Sequence, residues 1–426
     1  MPWFCFSLRT HKENDMKTHR EIAEQLDLFH SEPQAPGMIF WHPNGWRLFQ
    51  TIQNHMRHVY RQNGFQEVNT PIFMKQELWQ TSGHIDMFAD NMFFGGSSDE
   101  KSGYVLKPMS CPAHILMYKR GVHSHRDLPP KLFEFGLVHR NEASGSLNGC
   151  LRTRQFTQDD AHVFCRWSQA EEEICRFLQR AKQVYGDYGY RELGVKVSTK
   201  PEKALGSGEY WSRAQALLAS ACEHEGLRAE FQPGEGAFYG PKIELSLMDS
   251  MGRSWQCGTI QFDFNLAERF DVQYTNEQGE FEAPVIMHQA MYGSIERWIG
   301  VLLESSQGHL PDWLHPMPIA IASVSDSDHD LTRQLEAVCI EHDIPVSVDL
   351  SSSSVGRKLK RFHKLRIPYV LVVGDKERAE NSLAIKCRED GTITQVAVDK
   401  LIVYLKEKIR QAHQKGSGSE ATLSLA

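Results

Sequence analysis

Long apolar runs are missing from this 426-residue chain. No stretch of eighteen consecutive apolar residues occurs, which excludes a membrane-spanning helix. The N-terminus has neither a basic-then-apolar leader nor an acid-free transit segment, because Glu13 and Asp15 interrupt it. Met16 offers an alternative start, and residues 1–15 read as an extension. Nine cysteines lack paired spacing, which argues against a disulfide framework and for a reducing, cytoplasmic setting. A basic excess is absent too. The net charge is −7, so any RNA contact must come from local patches. There is no internal repeat and no glycine-rich phosphate loop of either common kind. A nucleotide bound here would be held by side chains.

What is present has clear periodicity. Leu48, Phe49, Ile52, Met56, Val59 and Tyr60 recur at helical spacing and Gly64 ends the pattern, predicting a helix over 45–63. Strands are expected over 65–71, 104–107, 131–140 and 154–164, the last two joined by a polar loop over 143–149. A capping box of Ser168 and Glu171 predicts a helix running to about Tyr188. After Pro311, Trp313 and Pro316 the pattern becomes strand–helix–strand. The stretch 319–324, a helix carrying Leu331, Leu335, Val338 and Cys339, then 346–350, 359–365, 369–373 and 383–387 precede a closing helix with Leu401, Tyr404, Leu405 and Ile409. This beat predicts a small α/β domain around a mostly parallel sheet. The expected organisation is an extension and linker over 1–37, a catalytic unit over 38–312, a second domain over 313–415 and a flexible tail over 416–426.

The densest polar cluster is His139-Arg140-Asn141-Glu142, followed by Arg152, Phe156, Gln158, Asp159, Asp160 and His162. Two strands joined by a short loop bring such side chains onto one surface. Arginine suits a triphosphate because its planar fork binds oxygens in pairs and stays charged. An arbitrary Arg/Glu hairpin is more often a solvated surface, so further segments must carry the reading. They are Lys107-Pro108-Met109-Ser110-Cys111-Pro112, Gly236-Ala237-Phe238-Tyr239-Gly240-Pro241-Lys242, Gln256-Cys257-Gly258-Thr259-Ile260-Gln261 and Met287-His288-Gln289-Ala290. Gly293-Ser294-Ile295-Glu296-Arg297 then opens a helix with Trp298, Ile299 and Leu302 on its buried stripe.

Together these motifs closely resemble the threonyl-tRNA synthetases, over about residues 17–415. The resemblance implies a class II synthetase core, an antiparallel sheet flanked by helices, of α/β (α+β) class, followed by a small α/β anticodon-binding domain. The helix ending near Gly64 and the strand ending at Pro71 match motif 1, implying a homodimer. Arg140 and Glu142 match motif 2, the arginine on the α-phosphate and the glutamate on adenine. Phe156 would stack on adenine and Arg152 reach the γ-phosphate, while Arg297 matches motif 3. Lys242, Gln158 and Gln256 correspond to positions lining the adenylate, and Tyr239, Met109 and Gln261 to the threonine pocket. Cys111, His162 and His288 match zinc ligands. Their spacing alone would be weak, since a lone Cys or His is more often a core residue. Three protein ligands leave zinc open to the amino and hydroxyl groups of threonine, with Asp160 accepting the hydroxyl hydrogen. Valine, isosteric but without that hydroxyl, would be rejected. The implied reaction is ATP- and Mg²⁺-dependent activation of L-threonine and transfer to tRNA(Thr).

Departures from the family pattern are equally specific. Fewer than forty residues precede the core, so the N-terminal editing domain usual in bacterial members is expected to be missing. Seryl-tRNA would then be left to a separate trans-editing protein. Ala113, Ala143, Asn148, Gln155 and Gln289 stand where glycine, proline, histidine, glycine and arginine are usual, and are expected near the ATP and tRNA-acceptor side. In the second domain Glu377 matches a base-reading position, but Lys386 falls where arginine is usual and 351–354 is a serine run. The basic run Arg357, Lys358, Lys360, Arg361, Lys364 and Arg366 is expected either to hold RNA backbone or to form a solvated helix face. Two rival readings follow: a paralogue passing threonine to a carrier protein or non-standard tRNA, and a non-catalytic RNA-binding regulator.

Overall fold

A computed structural model describes residues 16–96, 103–249 and 252–417. Residues 1–15 and the tail beyond 417 lie outside the described residues. The chain enters through helix α1 (His19–Leu26), capped by Thr18, whose hydroxyl takes the Glu21 amide. Ile22, Ala23, Leu26, Leu28 and Phe29 are buried in the main core, so the stretch over 19–30, expected as part of a linker, is packed structure. Helix α2 (Pro43–Gln62) starts with proline at its first turn and buries the predicted stripe from Leu48 to Tyr60. Gly64 follows at φ +79°, a conformation that glycine adopts without strain.

The first unit is built on an eight-stranded sheet of β1 (Gln66–Glu67), β2 (Lys131–His139), β3 (Gln155–Cys165), β4 (Gly194–Ser198), β5 (Glu230–Gln232), β6 (Lys242–Met248), β7 (Ser254–Asp263) and β8 (Val285–Ala290). Its order is β5-β4-β6-β7-β8-β3-β2-β1, antiparallel except for the pair at each edge. The strand expected over 65–71 is shorter than its pattern suggests. From Thr70 the backbone amide turns to the Glu134 carboxylate at 2.8 Å instead of the ladder.

Pairing across β6, β7, β8 and β3 puts Lys242, Gln261, His288 and His162 in one row. Glu244, Thr259, Ala290 and Asp160 form the next row on the same face, because strand side chains repeat every two residues. The opposite face is covered by α4 (Ala170–Asp187) and α6 (Ile295–Ser306). α3 (Cys111–Lys119) and α5 (Gly208–His224) also belong to the unit. The Ser168–Glu171 capping box is not formed. A 3₁₀ turn over Trp167–Gln169 precedes α4, and Gln169 instead accepts the Arg166 amide at 3.0 Å.

Trp313 and Leu314, expected to open the second domain, pack in the first core, and the second core begins at Ile319. Its sheet comprises β9 (Ile319–Ser323), β10 (Val346–Asp349), β11 (Tyr369–Val373), β12 (Ser382–Cys387) and β13 (Ile393–Ala397), in the order β10-β9-β11-β12-β13. The first three strands pair parallel. β12 and β13 pair antiparallel, so half the pairings depart from the parallel sheet expected. The helices are α7 (His329–Glu341), α8 (Val355–Lys364), α9 (Asp375–Glu380) and α10 (Leu401–Ser417). Val338, placed on the apolar stripe of α7 by its spacing, is 39% exposed. Leu401 and Leu405 of α10 sit in the second core while Ile409 and Ala412 pack on the first, so one helix ties the two together. No helix among the described residues is long and apolar enough to cross a membrane.

Candidate active site and metal centre

One cavity of about 640 Å³ lies against the β2–β3 face of the large sheet. Arg140, Glu142, Arg152, Phe156, Gln158, Lys242, Gln256 and Arg297 line it, with Met109, Tyr239 and Gln261 towards its inner end. An annex of about 20 Å³, room for a single small ion or water, is bounded by Cys111, Asp160, His162 and His288. Met109, Gln158, Tyr239, Thr259 and Gln261 border both spaces, so the two are continuous.

The cavity's cations are fixed from behind. Arg140 Nε donates to the Pro108 carbonyl at 3.2 Å, and its guanidinium lies 5.2 Å over the Phe156 ring. Arg297, in the first turn of α6, donates from Nε to Leu151 and from Nη1 to Gln256, both carbonyls at 3.1 Å. Burial, and then the charge of Arg297, depress the Arg140 pKa; burial does the same to Arg297. A polyanion between two such cations relieves both. Glu142 here holds Arg152, with contacts of 2.9 and 3.0 Å, and Lys242 holds Glu244 at 2.7 Å.

Metal-ligating atoms of Cys111, His162 and His288 lie within 4.8 Å of one another, and all three residues are buried. His162 Nε2 is 3.0 Å from His288 Nδ1. The outer nitrogens are held as well. His288 Nε2 meets Asp263 Oδ2 at 2.9 Å, and His162 Nδ1 meets His114 Nδ1 at 2.8 Å. Burial, reinforced by Asp160 and Asp263, drives the Cys111 thiol pKa well up, so an entering cation is what would favour its thiolate. Burial keeps His162 neutral, the form that binds metal. Thiolate and imidazole with an open fourth position suit zinc. The residues therefore fit the ion.

Sequence reasoning missed Asp263 and His114. Asp263 lies two residues past Gln261 on β7, on the same strand face, and His114 one helical turn past Cys111. Both periodicities were legible. Asp160 stands where expected, its Oδ2 accepting the Ser110 amide at 3.1 Å.

Two expected placements fail, those of Gln289 and Lys358. Gln289 does not face the ATP side, because it alternates with His288 and turns to α4, where Arg180 Nη2 donates to its Oε1 at 2.6 Å. Gln155 meets His139 at 3.2 Å. Glu377 accepts the Gly374 amide at 3.1 Å at the start of α9, while Lys386 is exposed on β12. Lys358 is buried, donating to the Ser323 and Asp349 carbonyls at 2.9 and 3.1 Å. It belongs to neither an RNA-facing nor a solvated face.

Two family descriptions match this chain. The tRNA synthetase class II core domain (G, H, P, S and T) covers residues 94–306, and an anticodon binding domain covers 319–408. The chain thus has a class II synthetase core followed by an anticodon-binding domain. It is 44% identical over 388 residues to a threonine--tRNA ligase of Leptothrix cholodnii, spanning 91% of this chain and 61% of that protein. The crystal structure of the RNA binding domain of threonyl-tRNA synthetase from Cryptosporidium parvum superposes with a TM-score of 0.89 at 38% identity, covering 92% of this chain and 98% of that one. Prolyl-tRNA synthetase from the same organism shares the fold, with a TM-score of 0.68 at 18% identity over 94% of this chain and 77% of that one. Within the class II synthetases, the chain belongs to the threonyl-tRNA synthetase family.

Proposed function

We propose that the chain activates L-threonine with Mg²⁺-ATP and passes it to the 3′ end of tRNA(Thr). The carrying observation is that the Cys111, His162 and His288 cluster opens into the arginine-lined cavity through Met109, Gln158 and Tyr239. Cys111, His162 and His288 would hold zinc, which would supply Lewis-acid binding for the amino and hydroxyl groups of the amino acid. Asp160, beside it, accepts the hydroxyl hydrogen. Threonine's carboxylate then points into the cavity.

Arg140 binds the α-phosphate and stabilises charge on its oxygens as the carboxylate attacks and pyrophosphate leaves. Arg152 and Arg297 hold the departing phosphates. For adenine to reach Glu142, that carboxylate shares its contact with Arg152. Phe156 supplies the stacking surface, with Arg140 on its near face. Lys242, Gln158 and Gln256 bracket the adenylate, and the terminal ribose of tRNA takes the threonyl group from it.

A homodimer through the α2 region is part of this reading, supported by Phe40 and Trp46, each more than 40% exposed there. So are a cytoplasmic location, RNA contact by the second domain near Glu377 and Lys386, and a trans-editing partner for seryl-tRNA. Threonine-dependent exchange between pyrophosphate and ATP, followed by charging of bulk tRNA, tests the proposal. Exchange without charging would favour the carrier-type acceptor; absence of exchange would overturn the enzyme reading.

A further inference from the structure

None of the steps above uses α1, yet its first residue touches the ATP cavity's scaffold on two sides. His19 is 2% exposed. Its Nδ1 lies 2.7 Å from Glu304 Oε1, and its amide donates to the same oxygen at 3.0 Å. A carboxylate only accepts, so Nδ1 carries the proton and Nε2 is left as an acceptor. That nitrogen takes the Cys150 amide at 3.2 Å. Arg20, the next residue, donates to Asn148 Oδ1 at 3.4 Å. Gly149 approaches so closely, at φ +50°, that a Cβ there would stand 2.2 Å from His19 Nε2. The 148–152 turn is therefore built to rest on the histidine ring.

The same turn carries the cavity's cations. Leu151 gives its carbonyl to Arg297, and Arg152 projects from the turn's last position. Glu304 lies two helical turns beyond Arg297 on α6, and its second oxygen takes Arg253, itself held by Asp249 at 2.6 Å. His19 thus joins the helix bearing Arg297 to the turn bearing Arg152 through its two ring nitrogens.

We propose that His19 is a positioning residue for ATP. Its Nε2 fixes the 148–152 turn against α6 and so sets the spacing of Arg152 and Arg297 around the phosphates. This rests on the cavity being an ATP site.

His19→Asn and His19→Gln in the full chain separate the two nitrogens. Asparagine can still donate to Glu304 but has nothing at the Nε2 position, whereas glutamine extends an acceptor there. Calorimetric ATP binding without amino acid should weaken about 10-fold in H19N, the effect of one unpaired buried amide, and recover most of the way in H19Q. Hydrogen exchange at the Cys150 amide should quicken in H19N alone. In the exchange assay KM for ATP should rise while KM for threonine stays within about twofold. Unchanged ATP affinity in H19N, an equal rise in both KM values, or no recovery in H19Q would overturn the positioning role. A wild type that binds ATP without threonine-dependent exchange would instead overturn the amino-acid reading, leaving the ATP measurements to judge His19.

Discussion

Asp263 Oδ2 stands 2.9 Å from His288 Nε2, directing the ring's other nitrogen at the His162–Cys111 pair. A buried carboxylate in that place fixes the tautomer and raises the basicity of a ligating imidazole. Asp263→Asn keeps the shape but weakens the acceptor. Zinc affinity, measured by competition with a chromophoric chelator, should fall about 10- to 100-fold. The threonine KM should follow it and be restored by added zinc. Unaltered zinc affinity would show that the aspartate does not tune the site.

Removing a ligand is a harsher change than removing its support. Cys111→Ala should lower bound zinc from about one ion per chain to a trace, since two imidazoles alone make a poor site. Threonine-dependent exchange should drop by about 10³ or more, while ATP binding stays within about threefold, because Cys111 borders the annex and not the larger cavity. Metal analysis of the purified variant beside calorimetry with ATP checks both halves. Normal threonine activation in C111A would show that the trio is not the amino-acid site.

The pocket's chemistry sets which wrong amino acids pass. Serine keeps the hydroxyl for Asp160 and differs by one methyl, a distinction worth about 1–3 kcal/mol, or roughly 10- to 200-fold in kcat/KM. Valine leaves Asp160 and a zinc position unsatisfied and should be disfavoured by about 10⁴. Exchange rates with the three amino acids at matched concentrations decide it. Serine rejected as strongly as valine would mean that something beyond the hydroxyl is being read.

Acid should loosen the junction between the two domains. His315 is buried there, with its Nε2 3.1 Å from the Leu365 carbonyl and its Nδ1 2.7 Å from that of Met317. Burial and then Arg388 outweigh these carbonyls and push its pKa down to about 4. The unfolded histidine, near 6.5, binds a proton that the folded one refuses. Stability is therefore lost as pH falls from about 6.5 to 4, at up to about 1.4 kcal/mol per pH unit, and levels off below. His315→Gln should flatten this part of the denaturation-midpoint profile. An H315Q profile parallel to wild type would contradict it.

Much of this architecture was legible from period and punctuation. The 3–4 spacing from Leu48 to Tyr60 ended by Gly64 gave α2 within two residues at either end, because burial and a left-handed stop are local signals. The β2–β3 hairpin was as clear, but Asp159, grouped with Phe156, Gln158, Asp160 and His162, alternates to the other face and accepts the Met291 and Tyr292 amides. Other features depended on partners distant in sequence. Nothing local says that Ser168 loses its capping role to Gln169, or that β13 pairs antiparallel to β12. Lys358 looked like one of a basic run, yet its ammonium closes a gap between two strand carbonyls. The metal trio needed resemblance, since its members meet only through the register of β3 against β8 and the end of α3.

Arg180 and Gln289 constrain how this chain can have changed during descent. Arg180 is buried over Phe65 at 5.1 Å, its pKa pressed down to about 10 by desolvation, and it donates to Gln289. Two guanidiniums would repel strongly in so dry a space. An arginine at 289 opposite the one at 180 should therefore cost stability. Homologues carrying arginine at the position of Gln289 should have an uncharged residue opposite, so that the two sites vary as a pair and each substitution is tolerated only in the company of the other.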